Sequence, residues 1–261
     1  VSYENDFYNN VNSQMFKKTM EKLNWEYIFI GEGDKWEGFK PRIVGYYNFL
    51  KTIPEEKMVI LSDARDVFCL RSPLTIMNHL DKFTDMDKKI IISGEMFLCG
   101  HMDWTDQQIE VELKKDPTFF FQGIPMKKYW NYLNKTTDMP LRKYVNAGLI
   151  IGKNKNLTKA LKWIIDNKYN DDQLGFSNYT NENPELVVLD YNADLLHTSG
   201  HAICGGLYSP LQKNDSVTLS ELFGQSSYFL HIPGISVSRG QKYMYNIISS
   251  LINSNIIKQE N

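Results

Sequence analysis

Two carboxylates that follow an apolar run are the residues of this sequence best placed to do chemistry. Residues 58–61 (MVIL) have the composition of a buried strand, and Asp63 and Asp66 come directly after them. In an open α/β sheet, ligands bind at the carboxyl ends of the strands. Carboxylate oxygens suit Mg²⁺ or Mn²⁺, and these ions keep coordination positions open for phosphates. The pattern therefore indicates a metal–diphosphate site.

The same residues have a plainer interpretation, in which a strand simply ends in a turn. Aspartate is common in turns, so Asp63 would cap the turn and Asp66 would pair with Arg65 or Arg71. The D-x-x-D pattern alone leaves both interpretations open, and other segments must decide between them.

Four further segments carry polar residues that could belong to the same site. They are SGE at 93–95, NAG at 146–148, DDQ at 171–173 and YFLHIPG at 228–234. Histidine can complete a site for a metal such as Mn²⁺, which makes His231 a candidate ligand. Taken singly, each segment also fits an ordinary role. Glu95 could form a salt bridge, Asn146 could be a satisfied core amide, and Asp171 could cap a helix.

Alternating strand-like and helix-like segments predict the framework that positions these residues. Strands are predicted at 1–3, 25–31, 58–61, 89–93, 144–152, 186–189 and 228–232. Helices are predicted at 9–23, 40–53, 74–83, 158–167, 171–179 and 243–257, with 106–115 either helical or a loop. The buried face of the first helix is expected to include Val11, Met15, Met20 and Leu23. Alternation through the first half favours a largely parallel sheet with right-handed crossovers.

Composition limits the kind of protein and its partners. The chain has 261 residues, 42% hydrophobic and 23% charged, as in ordinary globular proteins, with a formal net charge of -2. No overall basic field attracts nucleic acid or an anionic membrane, and no apolar run approaches the roughly 18 residues of a membrane span. The three cysteines lack C-x-x-C spacing, which argues against a zinc site. We expect one domain over 1–261, truncated at or near its first strand.

The order of the polar motifs resembles the glycosyltransferase domain of the procollagen lysyl hydroxylase family. In that family a strand ending D-x-x-D is followed by S-A-E, L-N-S-G-G-F-I-G, D-D-Q-L-F, a leucine–aspartate–histidine segment and an H-G-N-G turn. The matching stretches here are LSDARD (61–66), SGE (93–95), VNAGLIIG (145–152), DDQLG (171–175), VLDY (188–191) and HIPG (231–234). The resemblance covers nearly the whole chain, and its specificity comes from the order of six motifs.

The resemblance implies an α/β fold of the GT-A glycosyltransferase type, with a Rossmann-like, mostly parallel sheet flanked by helices. It implies that Mn²⁺ is held by Asp63, Asp66 and His231. It implies a UDP-sugar site formed by Val1, Ser2, Tyr3, Lys40, Asp63, Ala64 and Gly234, with the first three lining the uridine. It also implies that the sugar and the acceptor face Glu95, Asn146, Asp171 and Asp172.

The family transfers glucose with retention of configuration, so the resemblance implies UDP-glucose as donor and galactosyl-hydroxylysine of collagen-like chains as acceptor. Asp172 and Asn146, then Asp171, are the candidates to stabilise the cationic sugar centre. Two alternatives stay open. One is transfer from UDP-galactose or UDP-N-acetylglucosamine to hydroxylysine or a glycan, and the other is a non-catalytic nucleotide-sugar-binding domain.

Some residues depart from the family pattern. Residues 96–99 (MFLC) stand where the family has Trp-containing sequence, so Trp104 is the candidate substitute, and Arg239 is a weak counterpart of a family lysine. These departures fall at positions where the resemblance implies contacts with the acceptor. The resemblance implies that the protein resides in a lumen like that of the endoplasmic reticulum. A gene product without a signal peptide would instead be cytoplasmic. Oligomeric state stays open, a homodimer being one option.

Overall fold

The computed structural model describes residues 1–83, 85–95, 105–115, 126–133, 142–198 and 227–233. The strands are β1 (Ser2–Tyr3), β2 (Phe29–Ile30), β3 (Met58–Ser62), β4 (Val67–Cys69), β5 (Ile90–Glu95), β6 (Tyr144–Lys153), β7 (Val187–Asp190), β8 (Leu196–Thr198) and β9 (Phe229–His231). The helices are α1 (Val11–Lys22), α2 (Lys40–Leu50), α3 (Ile76–Leu80), α4 (Asp106–Lys115), α5 (Lys127–Tyr132), α6 (Asn154–Asp166) and α7 (Asp172–Glu182). Short 3-10 turns precede α3 and β7, at Pro73–Thr75 and Pro184–Leu186.

The main sheet has six strands in the order β2-β1-β3-β6-β5-β7. Five of them run in one direction and β6 runs against its two neighbours. A smaller sheet has the order β4-β9-β8, with β9 antiparallel to β4 and parallel to β8. The predicted α/β class with a mostly parallel, Rossmann-like sheet flanked by helices is confirmed.

The reversed strand β6 matters most for the site. Because it is antiparallel, its amino-terminal half lies beside the carboxyl ends of β3 and β5. Ser62 is paired with Leu149, and Ser93 with Asn146 after an irregularity between Ile92 and Ser93. Asn146 therefore reaches the same edge of the sheet as the carboxylates that follow β3.

Two apolar cores cover the two faces of the sheet, because successive side chains of a strand point to opposite sides. Ile91 and Ile151 pack with α1 and the small sheet, whereas Ile90, Ile92 and Ile150 pack with α2, α5, α6 and α7. No helix among the described residues is long and apolar enough to cross a bilayer.

Several predicted elements differ from the observed ones. Val11 is 59% exposed, so it does not belong to the buried face of α1, which includes Ser13, Met15, Phe16 and Met20. The strand predicted at 25–31 is only two residues long in β2, because its ladder partner β1 is equally short. The strands β4 and β8 and the helix α5 have no predicted counterpart. The predicted helix 243–257 lies outside the described residues.

Candidate metal and diphosphate site

The turn between β3 and β4 carries both predicted metal carboxylates. The Asp63 backbone N–H donates to the Gly148 carbonyl at 2.9 Å, which ties the turn to β6. The Ile232 N–H donates to the Asp66 carbonyl at 2.8 Å, and His231 is paired with Val67 across the small sheet. Backbone pairing on both sides therefore brings Asp63 and Asp66 against the histidine.

Asp63, Asp66 and His231 form one cluster, in which one ligand atom from each lies within 4.8 Å of the others. His231 Nε2 is 3.6 Å from Asp63 Oδ2 and 3.4 Å from Asp66 Oδ1. Two carboxylates and an imidazole nitrogen at this spacing repel one another unless a cation, either a proton or a metal ion, lies among them. Two carboxylates and one imidazole form a donor set that fits Mn²⁺ or a similar divalent ion.

The pKa values of Asp63 and His231 are shifted upward. Burial raises the pKa of Asp63, and the neighbouring carboxylates Asp66 and Asp172 add to the increase, although Arg42 and His231 oppose it. Burial alone would lower the pKa of His231, but the negative charges of Asp66 and Asp63 raise it overall. The raised pKa of His231 thus reflects the negative charge of the two carboxylates, whereas that of Asp63 reflects mainly its burial.

Asn146 and Glu95 lie behind the histidine. Asn146 Oδ1 is 2.8 Å from His231 Nδ1 and accepts from the Gly148 N–H at 2.9 Å, while Asn146 Nδ2 donates to Glu95 Oε2 at 3.2 Å. Gln173 Nε2 donates to the other Glu95 oxygen at 2.7 Å. Burial raises the pKa of Glu95 to about 8, against the lowering effect of the two amide hydrogen bonds and of His231.

Arg42 is the cationic residue that sequence reasoning missed. It extends from α2 and forms ion pairs with Asp63 through Nη1 and with Asp172 through Nη2. Burial alone would lower its pKa, but Asp172 and Asp63 raise it overall, so the guanidinium stays charged. Its Cζ atom lies 4.9 Å from the centre of the Phe39 ring. Lys40, the predicted donor contact, lies two positions earlier on α2 and is exposed.

Lys40 and Arg42 lie on different sides of α2, since each residue of an α-helix advances by about 100°. The buried Ile43 and Tyr46 mark the face that packs on the sheet, and Lys40 and Arg42 flank that face on opposite sides. The periodicity of α2 therefore nominates both residues equally, and the tertiary structure decides that Arg42 is the one that reaches Asp63 and Asp172.

The predicted pair Asp171 and Asp172 lies at the start of α7, and both residues are buried. Asp171 is the N-cap, and its side chain accepts from the Leu174 N–H at 2.7 Å. Burial raises the pKa of Asp171 to about 7, and the charge of Asp172 adds to the shift. Asp172 forms an ion pair with Arg42, so of the two carboxylates it is the one connected to the cluster, through Arg42 and Asp63.

The first strand lies beside the end of β3. Ser2 Oγ and Ser62 Oγ are 2.6 Å apart, and the Tyr46 hydroxyl accepts from the Tyr3 N–H and donates to the Ser62 carbonyl. The Val1 amino group donates to the Ile60 carbonyl at 2.7 Å. Residues 1–3 therefore lie beside Ser62, which directly precedes Asp63 of the cluster, and the buried Ala64 directly follows it.

An ion pair anchors the turn between β3 and β4, which carries the candidate metal ligands, from its other side. Arg65 binds both oxygens of the buried Glu4, at 2.7 and 2.8 Å, and Ser13 Oγ donates to the same carboxylate at 2.7 Å. Of the two arginines that the plain interpretation offered to Asp66, Arg65 therefore binds Glu4 and faces β1 and α1. Gly234, residues 96–99, Trp104 and Arg239 lie outside the described residues.

Comparisons with known proteins give the chain distant relatives. No protein-family model matches it. An uncharacterized protein of Acanthamoeba polyphaga mimivirus, R699, is 26% identical over 188 residues, which is 69% of this chain. The chain spans only 35% of the length of that relative.

Two solved structures are similar in shape. Mouse xyloside xylosyltransferase 1, in its apo form, has 12% identity and a TM-score of 0.41, over 87% of this chain and 74% of that one. A glycosyltransferase involved in glycosylation of the major capsid of PBCV-1 has 10% identity and a TM-score of 0.44, over 94% and 96%. Both of these proteins are glycosyltransferases.

Proposed function

We propose that this protein is a metal-dependent glycosyltransferase that uses a UDP-sugar. The observation that carries the proposal is the cluster of Asp63, Asp66 and His231 at the carboxyl end of β3, with the charged Arg42 beside it. Transfer from a UDP-sugar leaves a diphosphate on which negative charge grows. A divalent ion held by the three side chains would neutralise that charge and orient the donor.

Arg42 supplies the second positive charge. A guanidinium binds phosphate oxygens through two parallel hydrogen bonds, and Arg42 already presents two nitrogens to carboxylate oxygens. A cation held by Asp63 would weaken the ion pair of that carboxylate with Arg42, and a guanidinium nitrogen would then be available to bind the diphosphate. Fixed donors of this kind usually make the largest contribution to lowering a barrier, about 3 kcal/mol for one group.

Asp172 is the candidate to stabilise the positive charge that develops on the sugar, by analogy with the carboxylates of retaining glycosidases. Its side chain is buried and lies on the far side of Arg42 from Asp63. Glu95 exchanges its proton closer to neutral pH than an ordinary glutamate, because burial raises its pKa to about 8. It is the candidate for a hydrogen bond to a hydroxyl of the sugar or the acceptor.

The donor and acceptor within this proposal are UDP-glucose and galactosyl-hydroxylysine of collagen-like chains. The support is the order of six motifs between 61 and 234, together with a structure that gathers Asp63, Glu95, Asn146, Asp172 and His231 at one edge of the sheet. UDP-galactose and UDP-N-acetylglucosamine are the alternative donors, since residues 96–99 depart from the family pattern.

The test is release of UDP from a panel of UDP-sugars, with Mn²⁺ or with a chelator, and with or without a galactosyl-hydroxylysine peptide. We expect Mn²⁺-dependent release from UDP-glucose that rises with the peptide. The variant Asp66→Asn should lose this activity, while Asp166→Asn, at an exposed aspartate of α6, should keep it. Release from another UDP-sugar would replace the donor assignment. A folded protein that binds UDP-sugars without turnover would overturn the proposal in favour of a binding domain.

A further inference from the structure

The strongest unexplained arrangement near the metal cluster is the set of hydrogen bonds around Asn146. This side chain is 2% exposed and lies in the amino-terminal half of β6. Its Oδ1 atom lies between the Gly148 N–H, at 2.9 Å, and His231 Nδ1, at 2.8 Å. The proposed function assigns no role to these two contacts.

The backbone decides which way the Asn146 amide points. An N–H group only donates, so the atom that faces the Gly148 N–H at 2.9 Å must be the oxygen. The opposite orientation would place the amide NH₂ against that N–H. Because Oδ1 has no proton to give, the hydrogen in the contact with His231 must come from Nδ1.

The geometry points to Asn146 as a positioning residue for the metal cluster. We propose that it holds His231 as the tautomer protonated on Nδ1, so that the lone pair of Nε2 faces Asp63 and Asp66. Metal-binding histidines generally donate their other ring N–H to an acceptor that sets the tautomer and the ring orientation. This inference rests on the proposed metal site and is independent of sugar transfer.

Gly148 supplies the space that the imidazole occupies. A Cβ atom at this position would lie 2.5 Å from His231 Nδ1 and 2.8 Å from Nε2. No side chain larger than hydrogen therefore fits between β6 and the ring. The N-A-G sequence thus has two functions at one place, since Asn146 bonds the imidazole and Gly148 leaves room for it.

The Asn146 amide is itself held in place. Its Nδ2 donates to Glu95, which also accepts from Gln173 in the first turn of α7. Ser93 Oγ donates to the Asn146 backbone carbonyl at 2.8 Å. Replacement of Asn146 by a residue without an amide should therefore free the imidazole to rotate and to change its tautomer.

Nitrogen-detected NMR of ¹⁵N-histidine protein, without metal and at a pH above the imidazole titration, reads the tautomer directly. The signals of His231 are assigned by their loss in His231→Gln, since the chain has five histidines. We expect an Nδ1-protonated ring in the unsubstituted protein and a mixture of tautomers in Asn146→Leu. The smaller Asn146→Ala serves if the leucine variant does not fold. An Nε2-protonated ring in the unsubstituted protein overturns the proposal.

The matched control is Asn154→Leu. Asn154 is also 2% exposed, and its amide donates to the carbonyls of Leu50, Ile53 and Pro54, away from the cluster. Its loss should lower stability without a change in the His231 tautomer. Equal changes of tautomer in both variants would mean that a general loss of stability, and not the loss of the Asn146 contact, changes the tautomer of His231. This result overturns the proposal.

Binding of Mn²⁺, measured by calorimetry, is the second readout. We expect Asn146→Leu to weaken binding about 10- to 100-fold, as for other residues that orient metal ligands. Gly148→Ala should weaken it at least as much, whereas Gly152→Ala, where a Cβ would meet the Ile90 side chain at 2.8 Å, should not. No Mn²⁺ binding by the unsubstituted protein overturns both the metal site and this inference. Mn²⁺ binding without sugar transfer overturns the proposed function alone.

Discussion

Arg42 of α2 forms an ion pair with Asp63, the first carboxylate after β3, although the two residues are 21 positions apart in the chain. The same guanidinium pairs with Asp172 at the start of α7, so one buried cation joins three elements. The pair lies beside the metal cluster, and Asp63 belongs to both. Metal binding at the proposed site would therefore be coupled to this ion pair through a single carboxylate.

Substitution of Arg42 should destabilise the protein in a metal-dependent way. In Arg42→Ala, the buried Asp63 and Asp172 lose their counter-ion, and loss of one partner of a buried pair costs about 3–5 kcal/mol. Mn²⁺ should restore part of this loss because it neutralises Asp63. Urea unfolding with and without Mn²⁺ measures the effect.

The matched control is Lys40→Ala, on the same helix. Lys40 is exposed, and a surface substitution of this kind changes stability by about 0.5 kcal/mol or less. It also tests whether Lys40 contacts the donor, since that contact predicts a raised KM for the UDP-sugar. Equal losses of stability in the two variants would contradict the assigned role of Arg42.

Asp66→Asn should abolish tight binding of Mn²⁺ while the protein stays folded. The substitution keeps the shape of a side chain that is 8% exposed but removes the negative charge beside His231. Loss of a direct ligand should exceed the roughly 10- to 100-fold effect of a residue that only orients one. Calorimetric titration with Mn²⁺ measures the change, with Asp166→Asn as the control. Unchanged affinity would remove Asp66 from the ligand set.

Glu95 should make the metal-free protein less stable as the pH rises. Its pKa is about 8 in the folded state and 4.5 as the ordinary value, so the folded state binds more protons between these limits. Stability therefore falls with increasing pH across this window. Glu95→Gln should remove a change in the free energy of unfolding of about 5 kcal/mol between these two pH values. Urea unfolding at a series of pH values measures the slope, and an identical slope in the variant would contradict the assignment.

Asp171 and Asp172 should respond differently to substitution. Asp171 is the N-cap of α7, so Asp171→Ala should cost about 1 kcal/mol of stability, whereas Asp171→Asn should keep most of the cap. Asp172→Asn should leave the helix cap intact but lower kcat, because it removes the carboxylate that faces Arg42. Unfolding free energies and steady-state kinetics of the three variants separate the roles. A large fall of kcat in Asp171→Asn would show that Asp171 also acts on the substrate.

The elements that could be predicted from the sequence are those with a local pattern of apolar and polar residues. The apolar run 58–61 is followed by Asp63 and Asp66 where β3 ends, and the apolar segment 144–152 corresponds to β6. Short elements escaped prediction. The three-residue strands β4 and β8 are too brief for a period to be recognised, and they exist because they pair with β9.

The candidate site, too, could be predicted from the sequence only in part. Residue types and motif order were enough to nominate Asp63, Asp66 and His231, which the structure brings within 4.8 Å of one another. The partnership of Arg42 with Asp63 and Asp172 depends on which face of α2 packs against the sheet. Single residues on a helix surface carry no sequence mark of a partner that lies 130 positions away.

The direction of β6 was decided only by the tertiary structure. An apolar strand pattern is the same for either direction, because side chains alternate in both. Had β6 run parallel to β3, Asn146 would lie at the opposite edge of the sheet from the carboxylates. Antiparallel pairing with both β3 and β5 brings Asn146 and Gly148 to His231. The sequence thus showed which residue types could take part in the site. Only long-range backbone pairing in the tertiary structure brings these residues together.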